Sequence, residues 1–165
     1  MDVEIRFKTS RLVCNFCCII NTGMTALLQL TVEGHDFIID PFRMHKNIQT
    51  KLKKILEDPN RLKVLCGAQN DALWLQRDFE VYIVGGIDIQ ILYNVFRDDG
   101  KKELTAFKSF VNWYCPEVEV NKTLQMADWR RRLLTEQMIN YARQDTSLLL
   151  KIFNDLHNEV KYNFL

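Results

Sequence analysis

The sequence predicts an α/β domain in which helices pack on a mixed β-sheet. Two observations favour this class. As far as residue 39, the chain is a succession of strand-like segments. Beyond that point, short apolar strands alternate with segments of helical periodicity. The length of 165 residues is that of about one domain.

The N-terminal strands are predicted from their hydrophobic patterns. Residues 1–7 alternate apolar and charged side chains, which is typical of a half-buried strand. Residues 12–20 are a continuous apolar run and indicate a buried strand. Residues 25–32 and 35–39 flank a Glu-Gly pair, which predicts a hairpin.

The rest of the chain alternates between the two element types. Residues 44–56 carry apolar side chains at helical spacing, with lysines between them. Thr135 is a plausible N-cap for the longest predicted helix. The remaining elements, in order, are a strand at 61–66, a helix at 70–79, a strand at 81–84, helices at 88–96 and 104–114, and the long helix at 135–160.

Composition restricts the class of protein. The hydrophobic fraction is 47% and the charged fraction 26%, as in ordinary globular proteins. No apolar run reaches the roughly 18 residues that span a bilayer, so no membrane association is expected. The five cysteines are odd in number and no secretion signal is visible, which favours reduced thiols inside the cell. A net charge of +1 gives no global sign of nucleic-acid binding, so any RNA binding must come from local patches.

Asp71 is the first candidate site residue. It lies in the segment 66–79, where we expect the first turn of a helix after a short strand. Taken alone, an aspartate there is explained by its favourable interaction with the helix dipole.

Tyr141 and Asp145 are the second candidate pair. Their i, i+4 spacing places both on one face of the long helix. Met138 and Leu149 share that face, so it points inward. A carboxylate on an inward face is costly unless it is paired or binds a metal.

Five segments in this order resemble the RNase D group of DEDDy 3′–5′ exonucleases, and most closely its nuclear-exosome branch. They are residues 23–30, 37–40, 66–79, 122–130 (Lys-x-x-Gln-x-Ala-Asp-Trp-Arg) and 141–146. The resemblance covers residues 23–155. It implies an RNase H-like (DnaQ-like) exonuclease fold, with a mixed central sheet flanked by helices. Residues 1–165 would form one exonuclease domain with an atypical first-strand region at 1–22.

The first acidic motif of that family, Asp-x-Glu on the first strand, is displaced in this chain. Counting back from Gly23 without a gap reaches Leu12 and Cys14, which are not carboxylates. Asp2 and Glu4 have the right types and spacing. Either residues 11–20 are inserted between that motif and Gly23, or they replace the family's first strand and the acids are lost.

The resemblance implies two-metal hydrolysis of RNA. Asp2, Glu4, Asp71 and Asp145 would hold two Mg²⁺ or Mn²⁺ ions, whose preferred ligands are oxygens. Tyr141 would position the attacking water, and 5′-mononucleotides would leave a single-stranded 3′ end.

The remaining implications concern substrate and partners. Trp74, Lys122 and Gln125 would contact the terminal nucleotide, and the arginine run 130–132 is either phosphate-binding or ion-paired. Single-stranded RNA is the implied substrate, RNA exosome subunits are implied partners, and the implied location is the nucleus. The alternative is an inactive exonuclease-like domain that binds RNA or protein.

Overall fold

The described residues form a five-stranded mixed sheet at the centre of the fold. The computed structural model describes residues 11–18, 24–97, 103–119 and 122–164. The strands are β1 (Arg11–Cys18), β2 (Thr25–Val32), β3 (His35–Ile39), β4 (Leu62–Leu65) and β5 (Gly86–Asp88). Their spatial order is β3-β2-β1-β4-β5. β1 is therefore central, antiparallel to β2 and parallel to β4.

The hairpin of β2 and β3 confirms the prediction from the sequence. Glu33 and Gly34 have φ values of 52° and 78°. Positive φ at both central residues is the requirement of the two-residue turn that matches the twist of the two strands. Every residue of β2 is buried, which is the pattern of a strand covered on both faces.

Helices cover both faces of the sheet. One helical run comprises α1 (Pro41–Asn47), a π turn (Ile48–Leu52) and α2 (Lys53–Leu56). The other helices are α3 (Ala68–Phe79), α4 (Ile89–Phe96), α5 (Phe107–Tyr114) and α6 (Glu136–Phe164), and Lys122–Leu124 form a 3-10 turn. The Thr135 hydroxyl accepts a hydrogen bond from the Met138 amide at 3.2 Å, which confirms Thr135 as the N-cap of α6.

Three apolar clusters hold the layers together. Leu28 and Leu30 of β2 pack with Leu75 and Phe79 of α3 on one face. On the other face, Val64 of β4 packs against α4, α5 and α6 through Ile89, Phe110, Leu149, Ile152 and Phe153. A smaller cluster joins the start of β2 to α6 through Ala26, Leu27, Trp129, Met138 and Ala142. These two covered faces confirm the predicted α/β class.

The predicted strand at 81–84 is wrong. Backbone amides there bond to helical elements instead of a neighbouring strand. The Val81 amide donates to the Leu75 carbonyl, the Val84 amide to the Leu56 carbonyl and the Tyr82 amide to the Glu57 carboxylate. The edge strand β5 begins later, at Gly86.

The structure describes residues 11–18 of the segment 11–20. β1 pairs with β2 from Val13 to Cys18 and with β4 from Arg11 to Val13. Residues 11–18 are therefore the central strand of the sheet. The predicted strand at 1–7, together with Asp2 and Glu4, lies outside the described residues.

Among the described residues, no helix combines the length and the apolar character that a membrane span requires.

Candidate active site

Asp71 enters the site from the junction between β4 and α3. β4 ends at Leu65, and Gly67 has a φ of +70°, which an L side chain rarely adopts. This conformation turns the chain directly into α3. Asp71 lies in the first turn of α3, as predicted, and only 6% of its surface is exposed. A buried carboxylate at this end of a helix is stabilised by the free backbone amides there.

Asp88 is a residue that sequence reasoning missed. One carboxylate oxygen accepts a hydrogen bond from the Gln90 amide at 2.9 Å and caps α4. The other accepts one from the Ala68 amide at 2.8 Å, which is the first residue of α3. A single side chain therefore fixes the start of both helices and the orientation of the turn that carries Asp71. The sequence signal was an aspartate at the first position of a predicted helix.

Tyr141 and Asp145 approach from α6. Both are half-buried, between the buried residues Met138 and Leu149 of the same helix. The Tyr141 ring lies 5.7 Å from the Trp129 ring. Asp145 forms no hydrogen bond or ion pair with any described residue, and burial raises its pKa to about 7. Such a carboxylate is available for a bound cation.

The Cys66 thiol is influenced by the charges of three aspartates. Burial raises the pKa of this thiol, and the charges of Asp88, Asp71 and Asp145 raise it further. The charges of three carboxylates from three elements therefore act on one sulfur atom. The thiol stays protonated and is a poor nucleophile.

The described residues supply part of a metal centre. Asp71 and Asp145 offer the oxygen donors that a hard divalent cation prefers. Within the described part of the chain, no three His, Cys, Asp or Glu side chains form a group that could hold a metal ion. These two carboxylates alone are too few protein ligands for a pair of ions.

The predicted substrate-binding residues lie on two elements. Trp74 is half-buried on α3, one helical turn after Asp71. Lys122 begins the 3-10 turn, and Gln125 follows it with an exposed side chain. This segment is anchored to α6 because Trp129 donates a hydrogen bond to the Leu124 carbonyl at 3.2 Å and also contacts Tyr141.

The arginine run is largely engaged in ion pairs. Arg130 pairs with Asp128 at 2.7 Å. Arg132 pairs with Asp40 at 2.7 Å and also donates to the Ala26 carbonyl at 3.0 Å. The hydrogen bond from Arg132 is the main reason that the pKa of Asp40 is lowered. Arg132 therefore ties the segment before α6 to the end of β3.

This domain is an RNase H-like nuclease domain. Its strand order, the helices on both faces of its sheet and the carboxylates of its candidate site are the features of that class. The chain belongs to the 3′–5′ exonuclease family, whose family model matches residues 16–161. Members of this family generally depend on divalent metals.

Relatives place the chain in the RNase D and exosome branch. It is 38% identical over 141 residues to the exosome complex component 10 of Rattus norvegicus, covering 84% of this chain. The catalytic core of RRP6 from Trypanosoma brucei superimposes with a TM-score of 0.78 and 31% identity, over 93% of this chain and 42% of that one. Escherichia coli RNase D, an exoribonuclease involved in structured RNA processing, gives a TM-score of 0.79 and 27% identity, over 93% of this chain and 40% of that one. The chain spans about 15% of the length of the curated relative.

Proposed function

We propose that this chain is a metal-dependent 3′–5′ exoribonuclease that releases 5′-mononucleotides from single-stranded RNA. One observation carries the proposal. Asp145 is half-buried without a partner among the described residues, its charge and that of Asp71 both act on Cys66, and the chain belongs to the 3′–5′ exonuclease family. Burial of an unpaired carboxylate is unfavourable for folding, so a bound cation is the simplest reason for it.

Asp71 and Asp145, with Asp2 and Glu4, would hold two Mg²⁺ or Mn²⁺ ions. When bound, such ions supply an activated water and stabilise charge on the leaving oxygen. Asp2 and Glu4 precede the central strand β1 in the sequence.

Tyr141 would hold and orient the attacking water. It stands one helical turn before Asp145, so the phenol and the carboxylate share a face of α6. The contact with the buried Trp129 limits the movement of the ring. A fixed donor in this position reduces the reorganisation that the reaction needs.

Trp74, Lys122 and Gln125 would bind the terminal nucleotide. Trp74 offers a surface for stacking on a base or sugar, and Gln125 offers amide hydrogen bonds. RNA exosome subunits are the proposed partners and the nucleus the proposed location, since exosome components are among the relatives. Residues 1–165 would act as one exonuclease domain.

The experiment is cleavage of 5′-labelled single-stranded RNA in Mn²⁺ or Mg²⁺. We expect a ladder that shortens from the 3′ end and disappears in EDTA. Asp145→Asn should lower the rate by at least about 100-fold, because a metal ligand is lost. The matched control is Asp155→Asn, an aspartate of the same helix that pairs with Lys151 in solvent and should keep the wild-type rate. Equal rates in the two variants would overturn the assignment.

The first motif has its own test. If Asp2 and Glu4 are ligands, Asp2→Asn and Glu4→Gln should each reduce cleavage about as strongly as Asp145→Asn. Cleavage at the wild-type rate in both would show that they are not ligands. RNA binding without cleavage in the wild-type protein would instead support the inactive binding domain, which the relatives do not favour.

A further inference from the structure

The helical run of α1, the π turn and α2 is unusually basic. Between residues 41 and 56 the chain carries one arginine and four lysines and no aspartate or glutamate. The whole chain has a net charge of only +1. Positive charge is therefore concentrated in this segment, and acidic residues elsewhere in the chain balance it.

The apolar side chains of this helical run pack into the core, which leaves its lysines on the solvent side. Ile48 and Leu56 are buried in the core beneath the run. Lys46, Lys51 and Lys54 are exposed, and we call these three the basic face. At 1.5 Å per residue, Lys46 and Lys54 are separated by about 12 Å along the helical run.

The charges of the basic face are not neutralised within the described part of the protein. None of its three lysines forms an ion pair with a described residue, whereas Lys53 lies 3.6 Å from the Glu57 carboxylate and donates to the Glu80 carbonyl. A row of lysines without ion pairs favours the binding of a flexible polyanion, because the polyanion releases its counterions when it binds.

α3 connects the basic face to the candidate active site. Asp71 is in its first turn, and Asp78 lies seven residues further along, a rise of about 10 Å. There the Asp78 carbonyl lies 3.1 Å from the His45 ring nitrogen of α1. A strand whose 3′ end is at Asp71 would reach the basic face within a few nucleotides.

We propose that the basic face binds the phosphate backbone of single-stranded RNA, upstream of the 3′ end that is cleaved. This inference rests on the proposed function. Lysine acts as a point charge with no base readout, so the contact is independent of sequence. The basic face holds long RNA on the enzyme and makes no contact with a substrate too short to reach it.

The test compares RNA affinity and its salt dependence in EDTA, which prevents cleavage. The variant is Lys46→Gln/Lys51→Gln/Lys54→Gln, and the ligands are a dinucleotide and a single strand of about 20 nucleotides. Each lost phosphate contact should lower the slope of log K against log salt by about 0.7. We expect a decrease of about 2 for the long RNA and none for the dinucleotide.

A matched pair of double variants controls for net charge. Lys51→Gln/Lys54→Gln should lower the slope, and Lys108→Gln/Lys161→Gln, two exposed lysines of α5 and α6, should not. Equal slopes in both doubles would overturn the inference, as would an equal loss for short and long RNA. If the wild-type protein binds neither RNA and cleaves none in Mn²⁺, the proposed function itself fails, which is a distinguishable result.

Discussion

Asp145 is the side chain whose chemistry depends most on its surroundings. Its pKa of about 7 in the folded protein lies above the ordinary 3.8. The folded state therefore binds more protons than the unfolded chain between about pH 4 and pH 7. The contribution of Asp145 to the free energy of unfolding is fully present below about pH 4 and is lost as the pH rises through 7. Without a metal, the ionised carboxylate destabilises the fold.

Asp145→Asn should therefore stabilise the metal-free protein at pH 8. We expect an increase in the free energy of unfolding of about 1–3 kcal/mol, which shrinks towards pH 4. Denaturant titrations in EDTA at the two pH values measure it. Added Mn²⁺ should stabilise the wild-type protein and not the variant, because a ligand that binds only the folded state shifts the equilibrium. A variant less stable than wild type at pH 8 would contradict this account of Asp145.

Arg132 illustrates a stabilising contact at the scale of one residue. It binds both carboxylate oxygens of Asp40 and the Ala26 carbonyl. Arg132→Lys keeps the charge but loses the fork geometry, so we expect a loss of about 1–3 kcal/mol in unfolding free energy. Arg130→Lys, in the exposed pair with Asp128, is the control and should cost much less. The same loss in both variants would be inconsistent with a bridging role.

At the scale of elements, Asp88 joins the starts of α3 and α4. Asp88→Ala removes the acceptor of two backbone amides and should cost about 1–2 kcal/mol. Because Asp71 is three residues beyond Ala68, we also expect a lower kcat with little change in KM. Asp88→Asn retains one of the two oxygen acceptors and should recover only part of both.

The control for Asp88 is a cap outside the site. Asp58→Ala removes a turn carboxylate that accepts from the Asn60 amide, and it should change stability without affecting kcat. An Asp88→Ala enzyme with wild-type kcat would show that this side chain does not position Asp71.

Elements with strong local signals could be predicted from the sequence. The hairpin, α3 and α6 each combine a clear hydrophobic period with turn or cap residues. Residues 81–84 have the apolar pattern of a strand, yet their amides bond to α2 and α3. β5 has three residues and starts with a glycine, so it has too little pattern to be recognised.

The candidate site shows the same division. Asp71, Tyr141 and Asp145 could be predicted because each has a helical position and a family motif. The role of Asp88 depends on a contact with Ala68, twenty residues away. The central position of β1 depends on pairing with β2 and β4. Long-range pairings of this kind leave no local period in the sequence.

The whole molecule combines a mixed sheet, two helices that carry the carboxylates of the candidate site, and a basic face. The sheet order places the end of β4, and so Asp71, beside the middle of α6. Val64 and Leu149 belong to one core, so the two acids are held by the packing of the entire domain. The geometry of the site should therefore be lost only when the domain itself unfolds.

The most direct measurement is the fate of a label in the 3′-terminal nucleotide of a single-stranded RNA. We predict that, in Mn²⁺ or Mg²⁺, the label is released first, as a 5′-mononucleotide. EDTA or Asp145→Asn should abolish this release. RNA that is bound but keeps its labelled terminus, or a label that leaves first in a longer fragment, would contradict the central claim.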